Sequence, residues 1–349
     1  AAEDDCDPPR DPLILHNQIY TGKAGEEIAA MKVQIYDVAY QSADLPSVKS
    51  SRIDLETVLG HFRRNHSSNV SDFFMLDYEP GFISVLGKDH EGPEFKALVQ
   101  HLAEVLDRLH IEFPNARWTF YEIPNINYYV DDPDSKTGKV SWLDASQPIR
   151  DREFARLEAM RPVLERMDWF APCLYDWRSN QVLKDRGSPE TIKAEFLWRK
   201  SLVEATRAYI DQSSRRNRPL LPMVHTRWVD RGSGSGGDYG VFIPMGEFLL
   251  DQIEPAVEGG ADGITFWSSD TGAIRRAFGP REQDLKRQLR TRQALKSGSG
   301  LMKINWNSKI DRQRITEAIS QQETARILKT REAFQNLSPQ TEETAGKDS

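Results

Sequence analysis

The sequence predicts an α/β fold: a distorted TIM-like (β/α) barrel of seven or eight strands with a C-terminal helical extension. Three observations lead there. Short apolar runs alternate with amphipathic helical stretches, the pattern of parallel strands joined by crossover helices. The length of 349 residues, 38% of them hydrophobic, accommodates one barrel of roughly 250 residues plus extra segments. Carboxylates and aromatic residues gather where the apolar runs end, and strand ends form the chemical rim of a parallel barrel.

The elements follow in order. Residues 1–11 are acidic and Pro-rich and read as an extended arm. Residues 12–280 read as a catalytic barrel, 281–336 as the helical extension and 337–349 as a disordered tail. The strand-like runs are Leu13–Tyr20, Met31–Val38, Phe73–Glu79, Trp118–Pro124, Trp169–Trp177, Leu220–Trp228 and Ile264–Ser268. Between them lie helices expected over Leu55–Asn65, Phe95–His110, Asp151–Arg166, Pro189–Asp211 and Met245–Glu258. Their apolar residues recur at helical spacing, as in Leu102, Val105, Leu106 and Leu109. Two charged helical segments, Glu282–Lys296 and Ile310–Asn336, read as a solvated cap or a docking helix. Two polar loops follow strand ends, Tyr128–Trp142 and the Gly/Ser-rich Arg231–Asp238. Neither carries Gly-x-Gly-x-x-Gly ahead of a helix, so no dinucleotide or phosphate loop is read.

Composition narrows the function classes. A formal charge of −7 and a pI near 5.6 disfavour a nucleic-acid partner. There is no run of 18 or more apolar residues, so no membrane insertion is expected. Cys6 and Cys173 are the only cysteines. They allow one bridge or two free thiols, and no Cys-rich metal site. His225 has no second His or Cys at ligand spacing, so it reads as structural, and neither a metal nor a cofactor is expected. The start Ala1-Ala2-Glu3-Asp4-Asp5 fits a stub left by signal cleavage, hence a secreted or periplasmic protein, or simply a chain end.

The chemistry centres on Phe73-Phe74-Met75-Leu76-Asp77-Tyr78-Glu79-Pro80. Residues i and i+2 of a strand share a face, so Asp77 and Glu79 point the same way where the run leaves its core. Crowding raises the pKa of one acid and leaves the other ionised, which suits acid catalysis at a glycosidic bond. Tyr121, Tyr175, Trp228 and Trp267 end other runs and supply faces on which sugar rings stack. Asn125 and Arg227 stand beside them as polar substrate contacts.

Taken in order, these strand ends resemble the hyaluronidase family of glycoside hydrolases over roughly residues 12–275. Leu76-Asp77-Tyr78-Glu79 is similar to that family's Asp-aromatic-Glu motif, and Trp118–Pro124 to its Trp-Gly-Tyr-Tyr-x-x-Pro strand. Pro172–Trp177 is similar to its Pro-Ser-x-Tyr strand, and Gly260–Ser269 to its closing Gly-Ala-x-Gly-x-x-x-Trp-Gly-Ser strand. The resemblance implies an endo-acting, retaining hydrolase of N-acetylhexosamine-containing polysaccharide, hyaluronan or chondroitin-like, in which the substrate's own acetamido group is the nucleophile. It makes Glu79 the acid/base and Asp77 the partner of the acetamido nitrogen. Tyr175 bonds the acetamido group, and Trp267 and Tyr121 line its subsite. The chain departs from the family in lacking its bracing cysteines. Met223 stands in place of the aromatic after Leu-Pro, and Ser268 in place of a glycine. A polyanionic substrate calls for cations, for which Arg178, Lys184, Arg186, Arg227 and Arg231 are candidates. A chitinase-like hydrolase of neutral N-acetylglucosamine polymers is the nearest alternative. Its Asp-x-x-Asp-x-Asp-x-Glu frame is matched by Asp72, Asp77 and Glu79, with Met75 replacing the fourth acid. A catalytically silent carbohydrate-binding barrel is a further alternative.

Overall fold

The structure, a computed structural model, describes residues 11–17, 26, 30–40, 53–77, 82, 85–86, 89–125, 129–136, 138–142, 144–175, 189–226, 243, 245–267 and 309–337. β1 (Leu13–His16), β2 (Gln34–Tyr40), β3 (Phe73–Asp77) and β4 (Arg117–Phe120) run parallel, each beside the next. A short antiparallel pair, β5 (Tyr129–Asp131) and β6 (Lys139–Ser141), occupies the stretch read from sequence as a polar loop. β7 (Met223–His225) and β8 (Gly263–Trp267) return to β1, giving a six-stranded parallel sheet in the order β4-β3-β2-β1-β8-β7.

The expected fifth run forms no regular strand. Residues 168–175 meet 220–223 through isolated parallel bridges, Phe170 to Leu220 and Cys173 to Met223. They reach the foot of β4 through Asp168 N–H, which donates to Trp118 O at 2.8 Å. Pro172, Pro219 and Pro222 lack an N–H, so no continuous ladder can run along this seam. The described residues therefore show a parallel sheet of six regular strands with one irregular stretch curling from β7 toward β4, where a barrel of seven or eight strands was expected.

Alternation sorts the strand residues into two cores. Leu15, Tyr36, Val38, Phe73, Met75, Trp169, Ala171, Cys173, Tyr175, Leu221 and Met223 pack together inside the curl. Ile14, Phe74, Leu76, Trp118, Phe120, Phe170, Val224, Ile264 and Phe266 point outward against the helices. The inner face holds few, large side chains: Trp169 meets Tyr36 and Phe73 edge-on at 5.9 and 5.6 Å.

The helical layer matches the expected positions with local changes. α1 (Leu55–Asn65) is capped by Asp54, which accepts from Thr57 N–H at 3.3 Å, and α2 is Pro93–Glu112. The expected helix over 151–166 is two helices, α3 (Gln147–Ala159) and α4 (Arg161–Leu164), because Pro162 cannot donate back into α3. α5 (Pro189–Gln212) lies so close to the β8 approach that a Cβ on Gly259 would fall 2.6 Å from Val203 Cβ. The expected helix over 245–258 is α6 (Met245–Phe248), a π-helical turn (Leu249–Ile253) and α7 (Glu254–Glu258). Pro255 removes the donor that an α-helical bond to Asp251 requires, which favours the wider turn.

α8 (Lys309–Leu337) is docked, packing on α7 and the π-turn. Its Glu323 accepts from Thr226 Oγ1 at 2.6 Å, and its Arg326 donates to Ile243 O at 2.6 Å, all in the interior. The expected helix over 282–296 lies outside the described residues.

At the N-terminal ends of the strands, polar groups are closely paired. Asp168 accepts from Trp118 N–H at 2.9 Å and Arg215 at 2.5 Å, and pairs with His110 Nε2 at 2.8 Å. Burial pushes its carboxyl up, but these partners together outweigh burial and hold it below the usual range.

Candidate functional site

The C-terminal ends of the strands are built differently. β3 alternates inward through Phe73 and Met75, so Asp77 is the next inward position, at the rim and partly exposed. β4 alternates through Thr119 to Tyr121, whose N–H donates to Leu76 O at 3.0 Å and so sets it level with Asp77. The irregular stretch brings Tyr175 to the same face, and β8 brings Trp267. The Tyr121 ring lies 6.3 Å from Tyr175 and 6.5 Å from Trp267, tilted 42° and 36°. Three aromatic rings from three different strand ends thus form one wall beside an acid.

Tyr175 is fully enclosed. Its phenol is held well above its ordinary pKa, first by burial and then by surrounding groups that include Asp77 and Glu122. It is therefore a neutral O–H donor at any pH near 7. That hydroxyl donates to Met223 Sδ at 2.6 Å. A thioether is a weak acceptor, so the donor is held in place without being strongly engaged. Met223, where the resemblance expects an aromatic sugar contact, is completely buried beneath the tyrosine.

The predicted residues divide. Asp77, Tyr121, Tyr175 and Trp267 come together. Asn125 lies after β4, and its backbone carbonyl accepts from Arg156 at 3.4 Å; Arg156 also donates to Leu86 O at 3.2 Å. Glu79, Arg227 and Trp228 lie outside the described residues, as do Arg178, Lys184, Arg186, Arg231 and Cys6. Cys173 is buried in the inner core. The chitinase-like frame loses an acid here. Asp72 precedes β3 at its opposite end, roughly 16 Å from Asp77 along an extended strand.

Sequence reasoning missed four contributors. Glu122, the residue after Tyr121, has φ of 56° and is partly exposed, and its charge acts on Tyr175. His225, read as structural, lies edge-on to Tyr175 with ring centroids 5.3 Å apart. Gln252, on the π-turn, accepts from His225 N–H at 2.9 Å and donates to its carbonyl at 3.1 Å, acting as a substitute strand partner. Arg156, its charge matched by Glu153, ties the segments after β3 and β4 together. Only His225 carried a signal in the sequence, because it shares inward parity with Met223.

No family model and no curated protein sequence matches the chain. Solved structures do. The monoclinic crystal structure of bee venom hyaluronidase aligns with a TM-score of 0.53 at 15% identity, covering 90% of this chain and 99% of that one. The chain has the fold of a hyaluronidase. A second structure, bee venom hyaluronidase in complex with a hyaluronic acid tetramer, aligns with a TM-score of 0.50 at 14% identity, covering 80% of this chain and 100% of that one. The likeness is one of fold, and it accounts for the curled parallel sheet. Among the described residues, no helix is long and apolar enough to cross a membrane. Nor does any group of three or more His, Cys, Asp or Glu there suit a metal ion.

Proposed function

We propose that this chain is a divergent hyaluronidase-like glycoside hydrolase that cleaves an N-acetylhexosamine-containing polysaccharide internally. The observation that carries the proposal is the convergence of Asp77 with Tyr121, Tyr175 and Trp267 on one inward rim of a hyaluronidase fold. The aromatic rings offer stacking faces to a sugar, and the neutral Tyr175 hydroxyl offers a donor to an acetamido carbonyl. The second neighbour was solved with a hyaluronic acid tetramer, a hexosamine-containing ligand, which supports the same substrate class.

In the proposed mechanism the acetamido carbonyl oxygen attacks the anomeric carbon, and the leaving oxygen takes a proton from Glu79. Asp77 accepts from the acetamido N–H and stabilises the positive charge that develops on it. Glu79 then takes a proton from water as it opens the cyclic intermediate, so configuration is retained. The role of Glu79 rests on its sequence position two residues beyond Asp77. The domain scheme of arm, barrel, helical extension and tail, and a secreted or periplasmic location, belong to the same proposal.

The test is a panel of hexosamine polymers with product sizing. Falling polymer length from the earliest times marks internal cleavage. Glu79→Gln should lower turnover by about 100- to 10,000-fold, the usual worth of a general acid/base. An N-acetylglucosamine thiazoline, which mimics the cyclised acetamido intermediate, should inhibit. Near-normal turnover in the variant overturns the assignment of Glu79, and indifference to the thiazoline overturns the substrate-assisted route.

A further inference from the structure

β7 ends on a residue that stands in line with the ring wall. Residues paired in register along parallel strands share a face. Cys173 is bridged to Met223, and Met223 pairs with Thr265. Two residues further along, the same inward row reads Tyr175, His225, Trp267, and His225 is in register with Trp267. His225 thus fills the place between two members of the wall. It is buried, 5% exposed, and its ring meets that of Tyr175 at a centroid distance of 5.3 Å and an angle of 79°. Its backbone is held at both polar groups. Gln252 Oε1 accepts from His225 N–H at 2.9 Å, and Gln252 Nε2 donates to His225 O at 3.1 Å. Gln252 is itself fully buried on the π-turn, a local geometry that recurs at functional sites. The next residue is held too: Thr226 Oγ1 donates to Glu323 at 2.6 Å, and Thr226 O accepts from Ile243 N–H at 3.0 Å. An imidazole on a backbone fixed in this way is a firm stop for the ring that rests on it.

We propose that His225 is a positioning residue: its ring holds the Tyr175 ring, and through it the Tyr175 hydroxyl, at the angle at which that hydroxyl meets an acetamido group. This rests on the hexosamine-polymer reading given above and adds a residue to the same site. The reason is mechanical. The Tyr175 hydroxyl donates to Met223 Sδ, a weak acceptor on a flexible side chain, which fixes its direction only loosely. Tyr121 meets the Tyr175 ring from another strand end, tilted and with centroids 6.3 Å apart. The nearer imidazole, set edge-on, supplies the lateral constraint. A donor that must stay within about half an ångström of its productive place needs neighbours that are themselves locked, and Gln252 locks this one.

The test measures kcat and KM per folded protein on hexosamine oligomers. His225→Ala should lower kcat about tenfold and leave KM within about twofold, because lost alignment is felt where bonds change. His225→Leu fills a similar volume without a flat ring, so it guards against collapse around a cavity and should show the same loss. His225→Phe restores a flat ring and should recover most of the turnover. Combined with Tyr175→Phe, either ring-removing change should cost nothing beyond Tyr175→Phe alone, since no hydroxyl is left to align. Additive losses overturn the proposal, because they place the effect of His225 outside Tyr175. An unchanged kcat in His225→Leu also overturns it, as does a loss in His225→Phe as large as in His225→Leu. A wild type that cleaves no hexosamine polymer is a separate failure, that of the hydrolase reading. The positioning role is then decided by NMR on ring-labelled tyrosine, with the Tyr175 signal identified by its loss in Tyr175→Phe. The ring should flip about tenfold faster in His225→Leu than in the wild type, and an unchanged flip rate overturns the proposal.

Discussion

The two ends of this curled sheet hold their carboxylates in different surroundings. At the N-terminal ends, Asp168 is matched by His110, Arg215 and the Trp118 N–H, and its pKa is held down. At the C-terminal ends, Asp77 stands beside aromatic rings and shares their phenol with a second carboxylate, Glu122. Charge at the foot is neutralised by the protein itself and serves stability. Charge at the rim lies beside the aromatic wall, where the proposed function puts a ligand. The same division appears in the tyrosines: Tyr209 at the foot lies under Arg161 and Arg218 at 5.3 and 5.9 Å, whereas Tyr175 at the rim rests on a thioether.

Substitutions that remove one charge at each end put this contrast to the test. Asp77→Asn should lower turnover by about 100- to 10,000-fold, since it removes a transition-state interaction, and should leave the urea midpoint near wild type or above it. Loss of folding in that variant would place Asp77 in the framework instead. Asp168→Asn should do the reverse. It leaves His110 and Arg215 without their anion at a mostly buried site, so stability should fall by about 3 kcal/mol in urea titrations while the surviving folded protein keeps its turnover per site. The same carboxyl carries a pH signature. Its folded pKa is depressed, so its stabilisation is present above the unfolded carboxylate range and is lost as pH falls through the folded value.

Tyr175→Phe sharpens the contrast at smaller amplitude. Among the described residues the lost hydroxyl bonds to Met223 Sδ, a weak acceptor, so stability should change by less than about 1 kcal/mol. Turnover should fall about tenfold to a hundredfold through the lost bond to the acetamido group. Equal effects on stability and turnover would deny the tyrosine a role at the ligand.

The smallest effect concerns a residue on the outer face of the sheet. His16 points outward from β1, stacked on Phe266 at 5.8 Å, and burial lowers its pKa from 6.5 to about 3. The unfolded chain takes up this proton near pH 6.5 and the folded one only near 3. Stability therefore falls as pH drops through that window. His16→Gln should flatten the acid side of the stability curve by about 1 kcal/mol or more between neutral pH and the carboxylate range. An unchanged slope would show that the imidazole does not stay neutral in the fold.

Much of the site was legible in the sequence because strand periodicity is local and rigid. Counting in twos from Phe73 reaches Asp77, and counting back in twos from Trp267 reaches Gly263, where a Cβ would fall 1.8 Å from Leu13 O. The same count places Tyr121 and Tyr175 inward. The count stops at Glu122, where the backbone turns left-handed with φ of 56°. Proline chemistry explains the broken seam in hindsight, yet which prolines fall opposite one another depends on the pairing of distant segments. Gln252 could not be assigned from its neighbours, because only a π-turn aims it at His225.

The sequence by itself determined the alternating architecture, the inward parity of the acid and the rings, and the breaks at proline. These follow from backbone geometry and from donors a residue has or lacks, which a few neighbouring positions specify. Only the tertiary structure decided that Tyr121, Tyr175 and Trp267 meet, and that α8 docks through Glu323 onto Thr226, just past the strand bearing His225. Those contacts span tens to hundreds of residues. They arise from the curl of the sheet, to which each strand contributes only a small turn.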